Sequence, residues 1–163
     1  MQEISKGSPI VQQTASATIR QLLIYLFEKV DTGNTAQVAD AHAIFEDLCL
    51  LSAADQPQFL TISTLPRAFG LELIESILAN NHRLFKETDI LKQSLSDRLC
   101  PLLIRASSVK NDFPNMVRLT RVIVLLLKHY HTILVITLYL SMLHRARLIV
   151  VHRSCKARFF FPC

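Results

Sequence analysis

The chain has 163 residues, half of them hydrophobic, with three Gly and no Trp. That is room for one ordinary domain with a sizeable core, and so little Gly excludes sandwiches, barrels and nucleotide-binding α/β units, which need flexible turns at many corners. The net charge of +5 belongs to one end: residues 1–134 hold thirteen basic and thirteen acidic side chains, whereas the rest holds Arg145, Arg147, Arg153, Lys156 and Arg158 and no acid.

Residues 1–8 read as a disordered leader, and Pro9 suits the first turn of a helix whose inner stripe is Ala15, Ile19, Leu22, Leu23, Leu26 and Val30. The turn DTGNT at 31–35 ends it, and a second helix from about Ala36 to Ser52 carries Val38, Ala41, Phe45, Leu48 and Cys49 on one side, widened by Ile44 and Leu51. His42 lies near that face and reads as a hydrogen-bonded structural histidine, because no second His or Cys stands three or four residues away. After a polar link around Pro57, a third helix starts near Thr64 or Leu65 with Pro66 in its first turn, and Phe69, Leu73, Ile74, Ile77 and Leu78 form its broad face. Gly70 inside it is either simply tolerated, at roughly 1 kcal/mol against Ala, or marks the close approach of another helix.

Asn80, Asn81 and His82 end that helix, and Thr88 or Asp89 caps a fourth, lined by Leu91, Leu95, Leu99, Leu102 and Ala106, with Arg98 snorkelling at its rim. Pro101 should kink this helix rather than stop it, since the apolar stride resumes beyond it. Asp112 caps a fifth helix running to Leu134, where Met116, Thr120, Ile123, Leu127, Tyr130 and Leu134 keep a helical stride and Val122, Val124 and Leu126 widen the apolar surface. Helices two to five begin about every 24–28 residues, which implies an all-α fold and a right-handed armadillo/HEAT-like α-solenoid of about five to six helices, with an ordinary bundle as the alternative.

Sites of chemistry are hard to write from this sequence. Neither GxSxG nor a phosphate-cradling Gly motif can be formed, and the four cysteines, Cys49, Cys100, Cys155 and Cys163, stand far apart without a CxxC pair or signal peptide. That pattern points to a reducing setting, with Cys49 and Cys100 acting as small hydrophobes. His129 and His131 are two apart on a helix and point to opposite sides, so they make a poor metal pair. The acids Glu46, Asp47, Glu72 and Glu75 read as solvated surface, and no metal or cofactor is expected. Arg118, Arg121 and Lys128 form the one candidate strip for partner contact, facing acidic protein segments or lipid headgroups, against the alternative of a solvated outer face. Nucleic acid is not expected, because no aromatic residues interleave with the basic ones.

The ordered segments ATIRQLL, AHAIFEDLCLL with PQFL, LPRAFGLELIESIL, LCPLLIR and FPNMVRLTRVIVLLL carry a resemblance over about Ile10 to Leu134. The chain resembles the N-terminal, dimerisation/cyclophilin-binding and upstream-homology region of the Mon-two proteins, relatives of the large Golgi Arf guanine-nucleotide exchange factors of the Sec-seven and BIG type. The resemblance implies a noncatalytic helical scaffold in vesicle traffic, cytoplasmic and peripheral to Golgi, trans-Golgi and endosome membranes. It also implies Arf-type GTPases or scaffold subunits as partners, and self-association. Residues 9–134 are then the scaffold domain, and residues 135–163 a basic, non-family tail of the kind that a truncated gene prediction or read-through produces. The competing expectation is a small membrane-associated helical protein anchored by the apolar stretch 122–143, although a span needs about 20 mostly apolar residues and Lys128, His129 and His131 interrupt this one.

Overall fold

The computed structural model describes residues 9–108, 112–132 and 135. The leader at 1–8, nearly all of the tail at 135–163 and much of the distal half of the 122–143 stretch lie outside the described residues. Among the described residues the regular structure is entirely helical: α1 (Pro9–Glu28), α2 (Thr35–Ala53), α3 (Arg67–Asn80), α4 (His82–Glu87), α5 (Asp89–Ser94), α6 (Cys100–Ser107) and α7 (Phe113–His129), with a π-helical turn, Leu95–Leu99, joining α5 to α6. No described helix is long and apolar enough to cross a membrane.

The turns follow their side chains. Asp31 accepts the Gly33 N–H at 2.9 Å, and Asn34 accepts from Ala36 and Gln37 at 3.1 and 3.3 Å, so the DTGN run both closes α1 and caps α2. The far end of α2 is capped by Ala54 in the left-handed region, φ 63°, where the Ala54 and Asp55 N–H groups return to Leu51 and Leu50 at 3.1 and 2.9 Å. Asp112 caps α7 by accepting the Asn115 N–H at 3.1 Å, with Pro114 in the first turn as expected. Pro66 sits one residue outside α3 rather than within it, and its carbonyl accepts from Phe69 and Gly70, each at 2.9 Å.

Pro101 does not stop the helix, and the π-turn supplies the means. Proline has no N–H and its ring crowds the carbonyl four residues back. The Cys100 N–H reaches the Leu95 carbonyl, five residues earlier, so one wide turn absorbs the misfit and the helix continues.

Burial of α2, α3 and the α5–α6 run agrees with the sequence pattern: Ala41, Phe45, Leu48, Leu73, Ile74, Ile77, Leu91, Leu95, Leu99, Leu102 and Ala106 are all in the core. Two faces do not. On α1 the buried residue is Phe27, with Leu23 and Val30 packed beside it, while Ala15, Ile19, Leu22 and Leu26 face outward. The helix is apolar on both sides, and the Phe27 ring decides its rotation by stacking on Phe85, centroids 6.1 Å apart. On α7 the inner residues are Leu119, Val122, Leu126 and the following Tyr130, so Met116, Thr120 and Leu127 point out. A further difference is α4, which occupies a stretch with no helical periodicity because its Leu84 and Phe85 are both drawn into the core.

Phe85 is the hub on which Phe27, Phe45 and Tyr130 converge, with centroids 6.1, 4.9 and 6.4 Å away. The buried Tyr130 hydroxyl donates to the Leu78 carbonyl at 3.1 Å, which ties the end of α7 to the end of α3. Helix α3 packs against α1, α2 and α7, and α2 in turn against α5, the π-turn and α6. Two layers result: α1, α3 and α7 in one, α2 and the α5–α6 run in the other.

Candidate interaction site on α7 and the ion network behind it

The polar residues of α3 fix what α7 can present. Glu72 and Glu75, three apart on one face, both meet Arg118: Nη2 lies 2.9 Å from Glu72 Oε2 and Nη1 3.3 Å from Glu75 Oε2. Arg20 of α1 pairs with Glu72 from the other side, and Arg121 Nη1 is 3.9 Å from Glu75 Oε1. A chain of alternating charge thus runs α1–α3–α7. One guanidinium spanning two carboxylates relieves the repulsion between them and fixes α7 in register on α3.

The three residues of the candidate strip therefore separate. Arg118 is half-buried and turned inward onto α3; Arg121 is exposed, with a long contact to Glu75; Lys128 is exposed and has no acidic partner among the described residues. Glu72 and Glu75, read from the sequence as solvated, are partners in an interhelical network, for which the arginines at matching heights of the neighbouring helices were the available signal.

Asp47 is the polar residue that the sequence reading missed. It is 1% exposed, and its two carboxylate oxygens accept the N–H groups of Gln58, Phe59 and Leu60 at 2.7, 2.6 and 2.5 Å. Those N–H groups belong to a non-helical link and have no ladder to join, so a buried carboxylate supplies the acceptors. Its neighbour Glu46 behaves differently, pairing at the surface with Arg98 at 3.0 Å and lying 3.7 Å from His42 Nε2, too far for a hydrogen bond.

The remaining candidates offer little chemistry. Burial pushes the Cys49 thiol far above its ordinary range, with nearby Glu46 adding to the effect, and raises Cys100 as well, so neither sits in the electropositive surroundings of a reactive thiol. His129 stands beside His82, ring centroids 5.4 Å apart, rather than pairing with His131. Partial burial, then Lys128, His82 and Lys86, hold its titration below the ordinary imidazole value. No group of three or more His, Cys, Asp or Glu that could hold a metal occurs among the described residues. An open groove between α1 and α3, about 520 Å³ and lined by Gln12, Gln13, Ser16, Arg20, Phe69 and Glu72, holds the Arg20–Glu72 ion pair and leaves the buried Arg20 Nε without a hydrogen-bond partner.

Comparison with known proteins gives this geometry a context. The family described as Mon2/Sec7/BIG1-like, HUS domain, matches residues 37–154, a span that takes in nearly all of α2, all of α3 to α7 and residues 135–154. The chain is 34% identical over 134 residues to the protein MON2 homolog of Schizosaccharomyces pombe, covering 78% of this chain and 8% of that protein. It is 32% identical over 174 residues to the Drosophila melanogaster homolog, covering 78% and 10%, and 30% identical over 158 residues to MON2 of Saccharomyces cerevisiae, covering 80% and 10%. The chain thus spans about a tenth of the length of these relatives. No solved structure matches. With most of its length inside the family match and similar relatives in fungi and animals, the chain belongs to the Mon2/Sec7/BIG1-like HUS-domain family.

Proposed function

We propose that the chain is a noncatalytic protein-interaction module of vesicle traffic, working at the cytoplasmic face of Golgi and endosome membranes. Family membership is the observation that carries this reading. The matched domain is the HUS domain and not the catalytic Sec7 domain of exchange factors. The two-layer order, with α1, α3 and α7 side by side and α2 and α5–α6 behind, supports a right-handed armadillo/HEAT-like solenoid. In such a fold each helix pair covers its neighbour.

Partners in this reading are Arf-type GTPases or other scaffold subunits, met through the α7 side where Arg121 and Lys128 stand, with Arg118 behind them as the anchor of the helix. The test is co-precipitation of the purified full chain with Arf-type GTPases and with neighbouring domains of its relatives, together with a nucleotide-exchange assay. Stable capture of at least one, without acceleration of exchange, is expected. Capture of none, or clear exchange activity, would overturn the proposal.

A further inference from the structure

The outward face of α7 is apolar and continuous. Phe113, Met116, Thr120, Val124 and Leu127 follow one another at steps of three and four and share one side of the helix. Phe113 is 80% exposed, Val124 55% and Leu127 58%. The stripe is about 22 Å long at 1.5 Å per residue, the length of a helix-in-groove contact, and an exposed apolar surface of this kind marks an interaction face.

Charge restricts what can lie on it. From Phe113 to Thr132 the sequence holds no Asp or Glu. Arg118 is neutralised by Glu72 and Glu75, but Arg121 and Lys128, seven residues apart, line one border of the stripe, flanking Val124 at three and four residues. A second copy laid antiparallel on the same stripe would bring cation against cation, and one laid parallel would set the cations against a border that holds no Asp or Glu. Residues 135–163 add five basic residues and no acid, so this segment has no carboxylate to offer that border. Neither cover brings a carboxylate to Lys128 or to Arg121, whose own contact with Glu75 is long at 3.9 Å, and like charges across an antiparallel interface disfavour it.

We propose that the outer face of α7 is a docking groove for an amphipathic helix of another protein, apolar along one stripe and acidic along one border. The apolar stripe lies on Met116, Val124 and Leu127, and the carboxylates meet Arg121 and Lys128. This rests on the interaction-module reading above and names the chemistry of its partner.

The test uses the full chain and two synthetic helix-forming peptides of about 18 residues that share a Leu/Ile stripe and differ in its border, Glu in one and Lys in the other. Fluorescence anisotropy reads their binding. The Glu peptide is expected to bind at least about tenfold more tightly than the Lys peptide, with the difference shrinking as salt rises. Lys128→Glu should reverse the preference, and Leu127→Asn should weaken both peptides; both positions are exposed.

Equal binding of the two peptides would overturn the charge assignment, and binding of neither would overturn the groove. Self-association abolished by Leu127→Asn would assign the face to a second copy instead. Binding to anionic vesicles, sensitive to Lys128→Glu and without peptide binding, would assign it to a membrane. Because the peptide comparison does not involve GTPases or Golgi proteins, its failure leaves the trafficking reading standing, and failure of that reading leaves the peptide result readable.

Discussion

The hydroxyl of Ser52 occupies the space that a side chain on Gly70 would need: a Cβ built on Gly70 would lie 2.2 Å from Ser52 Oγ. Ser52 is held there by donating to the Leu48 carbonyl at 2.7 Å, so the serine cannot simply swing away. Helix α3 approaches α2 at the one position in its interior that lacks a side chain, which answers the question that the sequence leaves open about this glycine.

Gly70→Ala should therefore destabilise the chain by about 1–3 kcal/mol through overpacking, against a gain of roughly 1 kcal/mol in helix propensity. Removing the hydroxyl as well, in Gly70→Ala with Ser52→Ala, should recover most of the loss. Urea unfolding of the two single variants and the double variant checks this. A double variant no more stable than Gly70→Ala would show that the clash lies elsewhere.

Asp47→Asn keeps the size of the side chain but turns one acceptor into a donor facing backbone N–H groups and removes the charge from all three bonds. A loss of about 2–4 kcal/mol is expected. Amide hydrogen exchange at Gln58, Phe59 and Leu60 should rise more than at Ile74 or Leu95, because the link loosens before the core does. Unchanged protection at those three amides would contradict the clamp.

Replacing Arg118 with Met leaves Glu72 and Glu75 facing each other with Arg20 and Arg121 as partial compensation. The cost is expected at about 1–3 kcal/mol, below that of a fully buried pair because these side chains remain partly solvated. Arg118→Lys should recover only part of it, since an ammonium cannot span two carboxylates as a fork does. Thermal unfolding of both variants decides the point, and equal stability of Arg118→Lys and the parent chain would count against the bridging role.

Much of this architecture could be read from residue spacing, and the failures have a common cause. Helices α2, α3 and α5–α6 show a single apolar face, so stride and burial coincide. Helices α1 and α7 are apolar on two sides, and spacing cannot say which side faces in; tertiary contacts of Phe27 and Tyr130 with Phe85 decide. Six residues are too few to display a period, which hid α4. Asp47 looks like its neighbour Glu46 in the sequence, because its role depends on N–H groups eleven to thirteen residues away, in a link that lacks acceptors of its own.

Burial of His129, with Lys128, His82 and Lys86 nearby, makes stability depend on pH in a defined direction. His129 in the folded chain titrates below its unfolded value, for which about 6.5 is typical. Above that pH His129 is neutral in both states and no stability is lost to its protonation. As pH falls below it, the unfolded chain takes up the proton first and stability declines until the folded value is reached. NMR titration should give a His129 midpoint below about 6.5 that moves upward in Lys128→Gln and in Lys86→Gln. A midpoint at or above the ordinary value, unmoved by either change, would refute this picture.

The central claim is that this helical module takes part in traffic at Golgi and endosome membranes through protein contact and without a span of its own. Imaging of the fluorescently tagged full chain beside a trans-Golgi marker, before and after alkaline carbonate treatment of the membranes, tests it most directly. Enrichment at the marker that is fully released by carbonate is predicted. A diffuse distribution, or retention in the carbonate-washed membrane, would contradict it.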